Sequence, residues 1–328
     1  MREVRIASVQ PRDQFVIWSD TSPGRARAEE LKEQNLQLAE RLLARAGTQG
    51  CDVVCYPECI EGIGCHLFRA DISPFPEMVE EIPGPISNRV AEIASRHHMH
   101  VVYTQYERVG DTIYNAAVLV GRQGEILGKY YKIHLPAVER WTVARGDSFP
   151  VFQTEFGLVG LLICYDFAFP EISRCLTLNG AEVLFCPTMG VGTKGACEGN
   201  GPIQVQARAM ENFLPITIST CRQDTMIVDS DGSLLAMARP HTEEVISATV
   251  DLDAGPEDHS DWEMITGLSD VRARLLQERL PEVYQTILDP RPPVMERLKE
   301  RPIRPAPTES EREAFFAERR RWWTERGS

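Results

Sequence analysis

Apolar runs of strand length alternate with amphipathic stretches of helix length through residues 3–253, and the alternation occurs twice. Residues 3–10 alternate like a half-buried strand, residues 25–46 carry Leu31, Leu38, Leu42 and Leu43 at helical spacing, and residues 52–56 form a second strand. Pro83-Gly84-Pro85 stops the chain before a helix over 86–96. Strands at 101–107, 114–120 and 126–132 follow, the last two joined by a Gly121-Arg122-Gln123-Gly124 turn. A second half then has strands at 151–154 and 158–164, a helix over 171–179, a strand at 183–186, a helix over 203–212, and strands at 216–220, 225–229, 234–238 and 245–251. Two such halves, each with apolar strands and flanking helices, predict an α/β protein with two sheets face to face and helices outside, a four-layer α-β-β-α sandwich.

Residues 1–253 therefore read as one domain, and residues 254–328 as an appendage. The appendage is rich in Pro and Arg, as in Pro290-Arg291-Pro292-Pro293 and Arg301-Pro302-Ile303-Arg304-Pro305-Ala306-Pro307. Thr308 followed by Glu311 is a capping-box signature for a last helix bearing Phe315, Phe316, Trp322 and Trp323. Aromatics on a charged tail are expected to dock on the chain's own body or on a neighbouring subunit.

Charge narrows the partners. Lys and Arg number 35 against 48 Asp and Glu, a net charge of −13, which opposes the basic surface that nucleic acid or an anionic membrane would need. No stretch reaches the ~18 apolar residues of a membrane span, and Met1 to Gln10 reads as a strand rather than a signal region, so a cytoplasmic protein acting on a small molecule is expected. The nine cysteines are an odd number and read as reduced thiols. Cys51, Cys55, Cys59 and Cys65 contain no C-x-x-C pair, which argues against zinc, and His97, His98 and His100 read as polar residues where a helix passes into a strand.

Three strand ends carry residues with chemistry. The apolar strand Leu161-Leu162-Ile163 runs into Cys164 just before a helix, where a thiol faces a crevice and helix-start amides favour its thiolate. Glu58 follows the strand Val53-Val54-Cys55 through Tyr56-Pro57, and Lys132 ends the strand Ile126 to Tyr131. A carboxylate, an ammonium and a thiol facing one crevice would supply base, oxyanion donor and nucleophile. His134 offers a rival Cys–His pair, because strand alternation sends it to the same side as Lys132 but one pleat further on; a histidine that orders the loop after Lys132 is the favoured reading.

Together, Tyr56-Pro57-Glu58, Lys129-x-x-Lys132-x-His134-Leu135 and Cys164-Tyr165-Asp166-x-x-Phe169-Pro170-Glu171 resemble the nitrilase, or carbon-nitrogen hydrolase, superfamily over residues 3–253. The resemblance implies the α-β-β-α sandwich, a Glu58–Lys132–Cys164 triad, and a second glutamate at Glu139. It also implies no metal or organic cofactor, and pairing of subunits into a homodimer or larger even assembly. Tyr165, Phe167 and Thr188 are the expected substrate-binding residues, with the Tyr165 N–H in the oxyanion hole. The stretch Thr188 to Gly201, with Lys194 and Glu198, is expected at the entrance.

Ala168 stands where N-carbamoyl-D-amino-acid hydrolases of the family have an arginine that clamps a carboxylate. Tyr165-Asp166 is similar to the amidase and carbamoyl-hydrolase branches, whereas nitrile-hydrolysing members carry Trp-Glu there. A small linear amide is the first expectation, an N-carbamoyl amine the second and a nitrile the third. A non-catalytic scaffold is the reading from another class, and the intact triad argues against it.

Overall fold

Period-two alternation sends one face of each strand between the sheets and the other under the helices. In the computed structural model, which describes residues 2–11, 25–68, 74–190, 201–221, 224–257, 259–297 and 307–326, β1 (Glu3–Gln10), β2 (Val53–Cys55) and β3 (His100–Val109) run parallel. α1 (Arg25–Thr48) lies between β1 and β2 in the chain, and the short α2 (Pro74–Met78) and α3 (Pro85–His97) lie between β2 and β3. β4 (Thr112–Val120) and β5 (Ile126–Tyr131) extend the sheet antiparallel. The second half has β6 (Val151–Gln153), β7 (Leu158–Leu161), α4 (Pro170–Leu178), β8 (Val183–Pro187), α5 (Gly201–Asn212), β9 (Ile216–Ser219), β10 (Met226–Val228), β11 (Leu234–Met237) and β12 (Glu244–Asp251). The sheet orders are β12-β1-β2-β3-β4-β5 and β11-β10-β9-β8-β7-β6, so the last strand returns to close the first sheet.

Adjacent residues go to different layers. Val53 and Cys55 join Val102, Leu119, Val159, Leu161 and Phe185 between the sheets, while Val54 and Tyr56 pack outward with Leu42, Leu43, Val90 and Ile93 of α1 and α3. In the second sheet, Leu184 and Cys186 turn to Ile172, Leu176, Val205 and Ala209 of α4 and α5. The four-layer sandwich is what this alternation dictates. Hydroxyls tie the layers together where the parallel strands end: Ser8 donates to the Ile218 carbonyl at 2.9 Å, and Ser219 donates to those of Val9 and Cys55 at 2.7 and 3.1 Å.

After β12 come α6 (Asp261–Thr266), α7 (Val271–Gln277), α8 (Val294–Arg297) and α9 (Glu309–Arg326). The capping box opens α9: the Glu311 side chain accepts from the Thr308 N–H at 2.9 Å, and the Glu311 N–H donates to the Thr308 hydroxyl at 3.3 Å. Phe316 is buried with Cys59, Ile63, Phe75, Tyr106, Leu135 and Val138, and Arg312 donates to the Leu67 carbonyl at 2.8 Å. Phe315 meets the Trp141 ring edge-on. The side chains of Cys65, Trp322 and Trp323 lie outside the described residues, as do Cys197 and residues 301–306.

Two expected boundaries move. The strand through Cys164 ends at Leu161, and Cys164 instead opens a 3-10 turn, Cys164–Ala168. The strand before Lys132 ends at Tyr131, so alternation does not carry through to His134.

Candidate active site

The site forms where β2, β5, β7 and β8 end, each at the edge of an apolar strand that fixes its backbone. After β2 the chain continues along β3: the N–H groups of Tyr56 and Ile60 donate to the carbonyls of Val102 and Thr104. That path delivers Glu58 into the protein, 4% exposed. Lys132 follows β5 directly and its N–H donates to the Asn115 carbonyl at 2.9 Å. Glu139 sits on the 3-10 turn Ala137–Trp141, whose N–H of Val143 bonds back to the Glu139 carbonyl.

These side chains meet. Lys132 Nζ is 2.7 Å from Glu58 Oε1 and 2.9 Å from Glu139 Oε2, with all three residues buried. Burial alone would lower the Lys132 ammonium, but the Glu139 and Glu58 charges outweigh it and hold the group well above its usual range. Burial pushes the Glu139 carboxyl up, the Lys132 charge opposes that, and Glu58 adds to the rise. One cation thus serves two buried carboxylates, an arrangement in which losing the cation leaves an uncompensated charge.

Cys164 stands at a strained turn. Its φ of 46° lies in the left-handed region, which costs a non-glycine residue about 1–3 kcal/mol and persists only where the surroundings enforce it. Asp166, wholly buried, does the enforcing. It accepts from the Ile163 N–H at 3.1 Å and the Tyr130 hydroxyl at 2.7 Å on Oδ2, and from the His134 N–H at 2.8 Å on Oδ1. The His134 ring lies 3.1 Å from the same Oδ1 through Nδ1 and stacks on Phe169 at 3.6 Å between centroids. His134 therefore orders the turn, and the Cys–His pair finds no support in these contacts.

The thiol itself corrects an expectation. Burial, followed by the Glu58 charge, pushes Cys164 up to about 12, against the opposing Lys132 charge and hydrogen bonds from Thr188 and the Met189 backbone. Helix-start amides on a five-residue turn do not prevail over these effects, and burial favours the thiol over the thiolate. Chemistry from this state requires a base at the moment of attack, and the group whose charge the thiol feels most is Glu58.

Of the residues expected at the substrate, Tyr165 is half-buried and edge-on to Phe169. Thr188 is buried at the end of β8, where its hydroxyl bonds the thiol and the Gly190 carbonyl. Phe167 packs in the second sheet's outer core with Leu162, Ile172 and Leu176, beneath the Arg208 guanidinium. Lys194 and Glu198 lie outside the described residues. Asn115, Tyr106 and the anchoring role of Asp166 were not anticipated from sequence. An amide in the otherwise apolar strand Ala116-Ala117-Val118-Leu119-Val120 is the signal that marks Asn115.

A thiol, a carboxyl group and an ammonium thus meet at strand ends of an α-β-β-α sandwich. The family model for carbon-nitrogen hydrolases matches residues 5–257, and the chain belongs to that family. Among curated relatives it is 29% identical over 253 residues to a probable nitrilase of Schizosaccharomyces pombe, covering 73% of this chain and 86% of that one. It is 29% identical over 243 residues to the omega-amidase NIT2 of Homo sapiens (68% and 84%), and 27% identical over 282 residues to an N-carbamoylputrescine amidase of Arabidopsis thaliana (77% and 90%). Among solved structures, a double mutant of the amidase from Nesterenkonia sp. AN1 in complex with acrylamide superposes with a TM-score of 0.63 at 18% identity, covering 88% of this chain and 98% of that one. Nitrilase-superfamily Nit3 of Saccharomyces cerevisiae gives 0.62 at 22%, covering 82% and 96%. These structural likenesses concern the fold. No helix among the described residues is long and apolar enough to cross a membrane.

Proposed function

We infer that the protein hydrolyses a small linear carboxamide to acid and ammonia through a thioester on Cys164, in the reducing cytoplasm where such a thiol survives. The observation that carries the reading is the buried Glu58–Lys132 pair at 2.7 Å beside a thiol whose proton affinity responds to both charges. Glu58 takes the thiol proton as sulfur bonds to the amide carbon. Lys132 Nζ and the Tyr165 N–H stabilise the oxyanion, each such donor being worth about 3 kcal/mol in the transition state. The proton held by Glu58 passes to the leaving nitrogen, which departs as ammonia and leaves the thioester. Glu58 then takes a proton from water as its oxygen attacks, and returns that proton to the departing sulfur.

The 27% identity to N-carbamoylputrescine amidase over 77% of the chain supports a second reading, hydrolysis of an N-carbamoyl amine by the same steps. Pairing of two copies through α4 and α5 is supported by the exposure of Leu178, Ile203 and Met210 on them. Residues 254–328 then act as an extension that braces the body.

Ammonia release from a panel of amides, N-carbamoyl amines and nitriles tests the reading. The expected result is turnover of an amide, with an acyl adduct on Cys164 in intact-mass spectra of a quenched slow substrate. An adduct on Cys175 or Cys186 moves the nucleophile elsewhere, and no turnover of any compound leaves the scaffold reading.

A further inference from the structure

The two glutamates share a donor that the steps above do not use. Asn115 is 1% exposed, and its Nδ2 donates at 2.9 Å to Oε1 of Glu58 and at 2.9 Å to Oε1 of Glu139. Sheet register puts it there. Asn115 on β4 stands opposite Tyr106 on β3, and its carbonyl accepts the Lys132 N–H on the other side. Residues facing one another across strands present their side chains on the same face, so Tyr106, Asn115 and Lys132 form one row beneath the carboxylates. All three reach Glu139, Tyr106 through its hydroxyl at 3.2 Å and Lys132 at 2.9 Å. Gly64 leaves room for that phenol: a Cβ there would stand 2.9 Å from the Tyr106 hydroxyl.

We propose that Asn115 is a positioning residue for the hydrolysis, holding Glu58 aimed at the thiol while keeping Glu139 apart from it. A primary amide has two N–H groups and gives one to each glutamate. It does not titrate in the working pH range, so it can donate to both carboxylates and never compete with Glu58 for the thiol proton. Lys132 alone would leave two buried carboxylates on one cation, and like charges so placed relieve their repulsion by taking up a proton. The Asn115 N–H groups offset that repulsion by donating to both carboxyl groups.

This inference rests on the amide-hydrolase reading, and the test separates the two. Asn115→Asp keeps the shape and removes the paired donors. With the amide that the wild type turns over best, kcat is expected to fall about 100-fold with KM changed by less than about threefold. The acid limb of kcat/KM is expected to move up by about one pH unit, since the glutamates lose an N–H donor and gain a third carboxyl group beside them. Tyr106→Phe removes a bond to Glu139 alone and is expected to lose about tenfold with the acid limb in place. Should Asn115→Asp not fold, Asn115→Ser, with one hydroxyl donor, carries the same shift in smaller measure. A merely structural role would lower the melting temperature and the fraction of active protein but leave the pH profile where it is. A wild type that turns over an amide while the folded Asn115 variant keeps both its kcat and its acid limb overturns this inference alone. A wild type inert to the whole panel overturns the functional reading and this inference with it.

Discussion

Two buried carboxylate clusters flank Cys164, and their chemistry differs in kind. In one, Glu58 and Glu139 share the Lys132 ammonium and the Asn115 amide. In the other, Asp166 is wholly buried among the Tyr130 hydroxyl, the backbone N–H groups of Ile163 and His134, and the His134 ring. On the proposed mechanism the first exchanges protons with the thiol through Glu58. The second has both oxygens committed to groups that hold backbone in place, which suits a turn whose φ of 46° must not relax. Proton transfer and backbone geometry, on that mechanism, fall to separate carboxyl groups.

The largest expected effects test that division. Glu58→Gln keeps the shape and removes the base, and Lys132→Ala removes the oxyanion donor and leaves the carboxylates without their cation. Each is expected to lose about three orders of magnitude or more in kcat. His134→Ala, which removes one of several supports of Asp166, is expected to lose about tenfold or less. Steady-state kinetics on the three variants decide the matter. A His134 variant as inactive as Cys164→Ala, alongside an active Glu58→Gln, would reverse the roles of the two clusters and restore the Cys–His pair.

How far the sequence revealed this division follows from what each residue depends on. Glu58, Lys132 and Cys164 stand at the ends of strands whose apolar runs are plain in the chain, and the resemblance then named Glu139. Asp166 lay in the same quoted segment, yet its partners Tyr130 and His134 come from a strand and loop more than thirty positions earlier, and only the packed sheets bring them together. Asn115 depends on register between β3, β4 and the chain after β5, which a hydrophobic pattern does not specify. The loop-ordering role read for His134 fits its contacts with Asp166 and Phe169, and the alternation behind the rival Cys–His pair stops at Tyr131, three residues before it. The thiolate expectation considered the turn's amides and lacked the burial and the Glu58 charge that prevail over them.

A smaller effect distinguishes the clusters through the tail. Helix α9 reaches the acid–lysine cluster's supports, with Phe316 against Tyr106 and Val138 and with Arg312 on the Leu67 carbonyl, while the contacts of Asp166 come from the sandwich itself. Deleting residues 307–328 uncovers this patch. Loss of one buried Phe is worth about 2 kcal/mol, so a melting temperature lower by about 5 °C is expected. A fall in kcat of about tenfold should accompany it as the Glu139 turn loosens. Calorimetry and kinetics on the truncated protein check both, and unchanged values would show α9 to be a solvated appendage.

A third carboxyl group shows what becomes of a buried acid given neither an ion-pair partner among the described residues nor a full donor set. Glu61, three residues after Glu58 and 1% exposed, accepts the Tyr106 N–H at 2.7 Å on Oε1, and Oε2 has no hydrogen-bond partner among the described residues. Burial pushes its carboxyl from 4.5 up to about 7, with the Tyr106 N–H opposing. Below about pH 4.5 the folded and unfolded chains both hold the proton and nothing is lost. Between 4.5 and 7 the unfolded chain has released a proton that the native one retains, so the stability due to Glu61 declines as pH rises and levels off above 7. The full span is about 3 kcal/mol at most. Glu61→Gln should therefore match the wild type most closely in acid and exceed it most at pH 8, as urea unfolding at pH 4.5 and pH 8 would show. If the difference between variant and wild type is the same at both pH values, Glu61 is ionised throughout. Full donation is then not what separates a tolerated buried carboxylate from a titrating one in this fold.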